Sequence, residues 1–255
     1  ITKVDNDNFT LDGTELQTQR SVEFDGTDDA LTTATSSDFD FGSGNFTVEA
    51  WIYPEQTSSE NLSVVSLWNY NDNKRAWSIS GVSGSASTIR GMVSPDGAWA
   101  TRTEIQGTIN QNQWNHVAFT RSSNTLYLFI NGVSAGTASF SGSVYNNTSD
   151  GIMVGGQGAA DDINNVFDGN ISNVRVLKGT AVYTSAFTPS INRLTAITNT
   201  KLLCCNKPST TESTITPGTI TAHSSPTAST LNPFDRERSV DFDGTDDYLS
   251  VASSS

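Results

Sequence analysis

Two carboxylates on one strand, at Glu-x-Asp-x-Glu spacing, can act as nucleophile and acid on a glycosidic bond, because a period of two aims both into one cleft. No such run occurs in this chain of 255 residues. Glu49 stands alone in VEAWIY, with Thr47 and Trp51 as its same-face neighbours. A lone carboxylate lacks the partner that hydrolysis needs. Of the two histidines, His116 lies in a strand-like run and reads as a packed strand residue, while His223 falls in a Thr/Ser/Pro-rich stretch. A Gly-x-Ser-x-Gly nucleophile elbow, a metalloprotease motif, a phosphate loop and a dinucleotide fingerprint are not expected either. The residues point away from an enzyme.

Residues suited to binding are easier to find. Trp99, in SPDGAWATR, follows a turn and is expected to be exposed. A tryptophan there offers a flat apolar face with a polar edge, a platform on which a saccharide can stack. Trp51 and Trp114 sit in apolar strand-like runs and are expected in the core. Acidic residues gather in loops around Asp25–Asp29 and Asp161–Asp168. FDGTDD at 24–29 reads first as turn chemistry, since Asp-Gly favours turns and Asp side chains bond their own backbone; a single ion clamping it is the alternative. Cys204 and Cys205 are sequence neighbours, expected as free, partly buried thiols, because adjacent strand residues point to opposite faces.

The elements that must position these groups are strands. Ser, Thr, Asn and Gly occupy places that Lys and Glu fill in helical proteins, and no useful amphipathic helix is evident beyond one turn at Thr180–Tyr183. FTVEAWIYP at 46–54 alternates apolar and polar residues and stops at Pro54. LSVVSLW at 62–68 and AWSISGV at 76–82 flank the polar loop 69–75. WNHVAFTR at 114–121 and LYLFINGVSAG at 126–136 predict a hairpin, and Asn131-Gly132 predicts a tight turn into a further strand. GIMVGG at 151–156 and FDGNISNVRVLK at 167–178 follow. The predicted fold is all-β, a two-sheet antiparallel sandwich of jelly-roll type.

The net charge of −13, with no basic run, predicts no nucleic-acid partner, and no apolar stretch reaches the roughly 20 residues of a membrane helix. The chain also repeats itself: RSVEFDGTDDALTTATSS at 20–37 returns as RSVDFDGTDDYLSVASSS at 238–255. The expected organisation is therefore an N-terminal segment or the end of a preceding module at 1–19, a sandwich at 20–194, a Thr/Ser/Pro-rich connector with short strands at 195–237, and the first strand of a second module at 238–255. Starting at Ile1 without a leader, the chain reads as a processed product or a piece of something longer.

FDGTDD, FTVEAWIYP, QWNHVAFTR at 113–121, LFINGV at 128–133 and FDGNISNVRVLKGTAVYTSAFTP at 167–189, in this order and spacing, resemble the laminin-G/pentraxin branch of the concanavalin-like superfamily over residues 20–190. The downstream LTAITNTKLLCC and NPFDRERSVDFDG are similar to joints between such modules in structural proteins of marine tailed phages. The resemblance implies a non-enzymatic module of a virion surface: a tail fibre, capsid fibre or decoration protein attaching to host-surface polysaccharide. It implies sister subunits or other virion proteins as partners, in a homo-oligomer such as a trimer. A purely architectural spacer and a bacterial surface adhesin are the alternatives. Pentraxin-like members bind calcium between an early Asp-Asn loop and a later acidic loop after Gly-Gln. By that correspondence Asp72 and Asn73 would join Asp161 and Asp162, which follow Gly156-Gln157, although Gly158, Ala159 and Ala160 stand where ligands would be expected.

Overall fold

The computed structural model describes residues 20–55, 62–71 and 73–234 together with the backbone of three short strands before them. Those three are β1 (Thr2–Val4), β2 (Asn8–Leu11) and β3 (Thr14–Leu16), which pair with one another. The repeat copy at 238–255 and Asp72 lie outside the described residues.

The chain then runs through β4 (Ser21–Asp25), β5 (Ala30–Thr33), a 3-10 turn at Ser37–Phe39, β6 (Phe46–Pro54), β7 (Ser63–Asn69), β8 (Lys74–Val82), β9 (Ser85–Gly97) and β10 (Thr103–Thr108). The hairpin stack β11 (Asn115–Ser122), β12 (Thr125–Ile130) and β13 (Val133–Ser139) comes next, then β14 (Met153–Val154), β15 (Gln157–Ala159), β16 (Asp162–Asn164) and β17 (Asp168–Lys178). The last described strands are β18 (Thr200–Cys204), β19 (Ser213–Ile215), β20 (Ile220–His223) and β21 (Thr227–Ser229). Thr180–Tyr183 forms no helical turn.

Two antiparallel sheets make the sandwich. One has the order β10-β9-β8-β7-β14-β5-β20; the other runs β13-β12-β11-β6-β17-β18-β19, with β4 on β17 and β21 on β4. Period-two patterning decides which side of each strand enters the core. Along β6, Phe46, Val48, Ala50 and Ile52 turn inward and are fully buried, which sends Thr47, Glu49 and Trp51 to the outer face. Opposite them, Trp77, Ile79, Ile89 and Val93 fill the core from β8 and β9. Phe41 stacks between Phe46 and Trp77, with ring centroids 4.4 and 5.2 Å away. The sheets approach closely at Gly91, where an added Cβ would lie 2.4 Å from the Phe119 ring. Arg121 points inward at the end of β11, and its guanidinium is satisfied by the carbonyls of Gly42, Ser123, Phe140 and Gly142. A fully buried cation persists only with such pairing.

The predicted hairpins appear where expected: Ser122 pairs with Thr125, and Asn131 and Gly132 adopt φ of 52° and 77°, a tight turn into β13. The Thr/Ser/Pro-rich stretch is woven into the sandwich. β18 pairs with β17, β20 with β5, and β21 with β4. The tryptophan expectation needs correcting. Trp51 and Trp114 are only partly buried, whereas Trp68 and Trp77 are the enclosed pair. Trp51 occupies an outward register position on β6, so its ring packs on His116 and Phe234 outside the inter-sheet core.

Candidate functional site

The outer face of the seven-stranded sheet carries a continuous register row: Thr221, Thr32, Met153, Ser66, Ser78, Met92 and Glu104. The β15–β16 hairpin is tied across its middle. Ser66 donates to the Gly156 carbonyl at 2.9 Å, and Gly156 sits against Met153, Ile163 and Ala30. At the corner of β9 and β10, buried Arg90, half-buried Glu104 and exposed Gln106 share one face. Trp99 lies beyond the end of β9 and remains 42% exposed, as expected of a platform. Its indole is not bare: the Arg102 guanidinium lies 3.6 Å from the ring centroid and that of Arg90 5.1 Å. The Trp68 ring meets Trp99 edge-on at 6.2 Å.

Glu104 organises the two arginines, accepting from Arg102 Nε at 2.8 Å and lying 3.7 Å from Arg90 Nη1. Burial alone would raise its pKa, but the bonds from Arg102 and Gln106 and the nearby cations hold the carboxyl below its ordinary range. Asp96 caps the turn that carries Trp99, accepting from the Ala98 amide at 2.9 Å and from the Thr101 hydroxyl, so two guanidinium groups stand with two carboxylates and the charges of the corner balance. A guanidinium stacked on an indole is a composite flat surface able to meet a sugar ring and to bond its hydroxyl or carboxylate oxygens.

The two loops suggested for calcium adjoin this corner. Asn71 Nδ2 donates to Asp162 Oδ2, joining the β7–β8 turn to the β15–β16 hairpin. Burial and the Asp162 carboxylate together raise the pKa of Tyr70 in the same turn. Gly97, two residues before Trp99, packs directly on the Asn73 carbonyl. The structure thus brings Asn73, Asp162 and Trp99 to one region, with Asp161 exposed in the turn beside Asp162. Calcium wants six or more oxygens. Here Asn73 Oδ1 accepts from Arg75 at 2.6 Å, Asp162 Oδ1 from Asn164 at 2.9 Å, and Asp162 Oδ2 from Asn71. As these side chains stand, Asn73 and Asp162 face N–H donors, an arrangement that does not fit a calcium ion at those two positions.

A different acidic group converges at the β4–β5 turn, where ligand atoms of Asp25, Asp28 and Asp29 lie within 4.8 Å of one another. The expected turn chemistry is present: Asp25 Oδ1 accepts from the amides of Thr27 and Asp28. Asp29 is 3% exposed and clasps two strands, accepting from Asp25 N at 3.1 Å and Ser225 N at 2.7 Å. Burial, then repulsion from Asp25 and Asp28, raises its pKa despite those bonds.

Glu49 is withdrawn from any substrate. It is 0% exposed, and His116 Nε2 (3.1 Å), Arg175 (2.6 Å) and the Tyr183 hydroxyl (2.9 Å) surround it. The segment after β17 brings Tyr183 and Phe187, stacked at 3.7 Å, over this part of the sheet. His116 is 1% exposed and packed, as expected, but no local pattern points to its carboxylate partner, 67 residues away. One Gly-x-Ser-x-Gly string does occur, Gly132 to Gly136, correcting the expectation of none. It lies on the second arm of a hairpin, with Ser134 exposed and in register with Phe129, so it is no strand-to-helix elbow.

The concanavalin A-like lectin/glucanases superfamily model of laminin-G type matches residues 25–183. No curated protein matches the sequence. Among solved structures, a Bacteroides ovatus protein assigned to carbohydrate binding superposes with a TM-score of 0.62 at 17% identity. That superposition covers 88% of this chain and 65% of the other, so the chain spans under two thirds of that relative's length. The heptameric SAP-like pentraxin of Limulus polyphemus gives a TM-score of 0.55 at 15% identity, covering 86% of this chain and 98% of its own.

Proposed function

The chain belongs to the concanavalin A-like lectin/glucanases superfamily, and from that premise we propose that it is a non-catalytic glycan-binding module displayed on a virion surface, attaching to host-surface polysaccharide. The observation that carries the glycan reading is the Trp99 corner, an exposed indole bearing the Arg102 guanidinium beside Arg90, Glu104 and Gln106. Such a surface stacks on sugar rings, and its guanidinium and carboxylate groups offer donors and acceptors to sugar hydroxyls. The carbohydrate-binding assignment of the Bacteroides ovatus protein supports the same reading. Glu49, bonded to three side chains and fully buried, supports the absence of catalysis there. The virion setting rests on the module joints and the internal repeat. Linked copies, or sister subunits in an oligomer, raise avidity without any new contact.

The test is binding of the protein to host-type bacteria and to an array of neutral and acidic glycans, with calcium and with EDTA. Saturable binding is expected, weakened about 10-fold or more by Trp99→Ala, the loss typical of an aromatic anchor that a ligand covers. Calcium dependence is the part of the proposal that the side-chain arrangement does not favour. Loss of binding in EDTA and in an Asp161→Ala, Asp162→Ala variant would establish it. A folded protein that binds no glycan and no cell would overturn the reading in favour of an architectural spacer.

A further inference from the structure

Cys204 ends β18 and Cys205 follows it directly. Consecutive residues of a regular strand point to opposite faces. Here Cys205 leaves the strand at φ 58°, a left-handed conformation uncommon for a residue with a side chain. The result is that both side chains enter the same core, at 0% and 1% exposure, with their sulfurs 3.6 Å apart. The backbone holds this arrangement from outside: Asn173, itself at φ 54° in the bulge of β17, donates its amide to the Cys205 carbonyl at 3.2 Å. The Asn173 side chain is anchored in turn by the amide of Leu194 at 2.9 Å.

We propose that this pair is a covalent modification site, closing to a vicinal disulfide when the chain folds in the presence of a small-molecule disulfide such as oxidised glutathione. One cysteine thiolate attacks the glutathione disulfide and expels a glutathione thiolate. The neighbouring thiolate then attacks the first cysteine's own sulfur, breaking its bond to glutathione and expelling the second glutathione thiolate. The protein gives up two protons and two electrons, and the oxidant becomes two thiols. The reaction belongs to folding, before β18 is enclosed, because in the finished core no oxidant reaches the sulfurs. The bond to Cys204 and burial also push the Cys205 thiol well above its ordinary pKa, leaving little thiolate to react. Adjacent Cα atoms are ~3.8 Å apart across a trans peptide, closer than the ~4.4–6.8 Å usual for disulfides, so this bond is strained and readily reduced once exposed. In the folded protein the same core that excludes the oxidant shields the bond from reductants.

This inference is independent of the glycan reading. It is tested by unfolding and reducing the protein, refolding it in mixed reduced and oxidised glutathione, then alkylating in denaturant and measuring the intact mass. The expected product carries no alkyl group and weighs less than the dithiol by two hydrogen atoms, with the linkage mapped to the peptide bearing Cys204 and Cys205. It should resist dithiothreitol while folded and open when unfolded. A Cys205→Ser chain, which has no second thiol, should carry one alkyl group at Cys204 and show no loss of two hydrogen atoms. Two alkylated cysteines at every glutathione ratio, or wild-type protein with glutathione on each sulfur or linked between chains, would overturn the proposal.

Discussion

Glu49 shows how little a residue's type says about its role before its surroundings are known. Its position in VEAWIY invited comparison with catalytic carboxylates, and its isolation in sequence argued against one. Space supplies the partners that sequence could not: His116, Arg175 and Tyr183 lie 67, 126 and 134 residues away. No local pattern encodes contacts of that range. Burial opposes the charge on Glu49, but the bonds from His116 and Arg175 outweigh it and hold the carboxyl below its ordinary value of 4.5. A folded-state pKa below the unfolded one means stabilisation that is complete above about pH 4.5 and is lost as pH falls through the folded value. Glu49→Gln, which leaves the Arg175 cation buried without its counter-charge, is expected to cost about 3–5 kcal/mol at pH 7. Thermal unfolding should show the gap from wild type narrowing toward pH 3. An equal gap at both pH values would remove the ion pair from this account.

At the scale of elements, the strands that announced themselves were those with clean alternation. FTVEAWIYP forms β6 with the predicted bounds, and the β11–β12–β13 hairpins follow from their turns. The longest described strand, β9, has no such signature, although it and β10 build the candidate site. Its sequence SASTIRGMVSPDG mixes Ser, Thr, Gly and Pro, the residues of loops, and its outward positions hold Arg90 and Met92 where a solvated face would be plainly polar. Both are almost fully buried. Trp99 was legible as exposed because a turn precedes it, but its arginine partners were not, since a guanidinium's stacking depends on tertiary placement. β9 ends at Gly97 for a steric reason: φ is +85°, and an added Cβ would sit 1.8 Å from the Asn73 carbonyl oxygen. Gly97→Ala is therefore expected to destabilise the fold by about 2–4 kcal/mol. In calorimetry and glycan binding the variant should lose both stability and affinity, because the displaced turn carries Trp99 with it. Retained affinity would detach the Trp99 corner from that turn.

At the scale of the molecule, composition and the spacing of turns were enough to give an all-β sandwich, and the family resemblance covered nearly the same residues as the superfamily match. The stretch after residue 195 was harder to read, because short strands of Thr, Ser and Ala have no apolar stripe of their own. They are recruited by partners already in place: β20 by β5, and β21 by β4. The two hairpin corners lock where Asp29 accepts the Ser225 amide.

That last pairing has a mechanical meaning. β21 runs antiparallel to β4, with Ser229 beside Ser21 and Thr227 beside Glu23, and the Ser21 hydroxyl reaches the Leu231 carbonyl at 2.5 Å. The chain therefore enters and leaves this ribbon at the same end. Tension applied through the two flanks pulls the strands apart like a zipper, loading one ladder bond at a time; it does not shear them all together. In a single-molecule pulling experiment on linked modules, the first extension should come at low force and release β21 and then β20, while the rest of the sandwich holds. A fibre made of such units would stretch before it unfolds, and would rewind when the load is removed. A single high-force rupture of the whole module would show that the ribbon does not yield first.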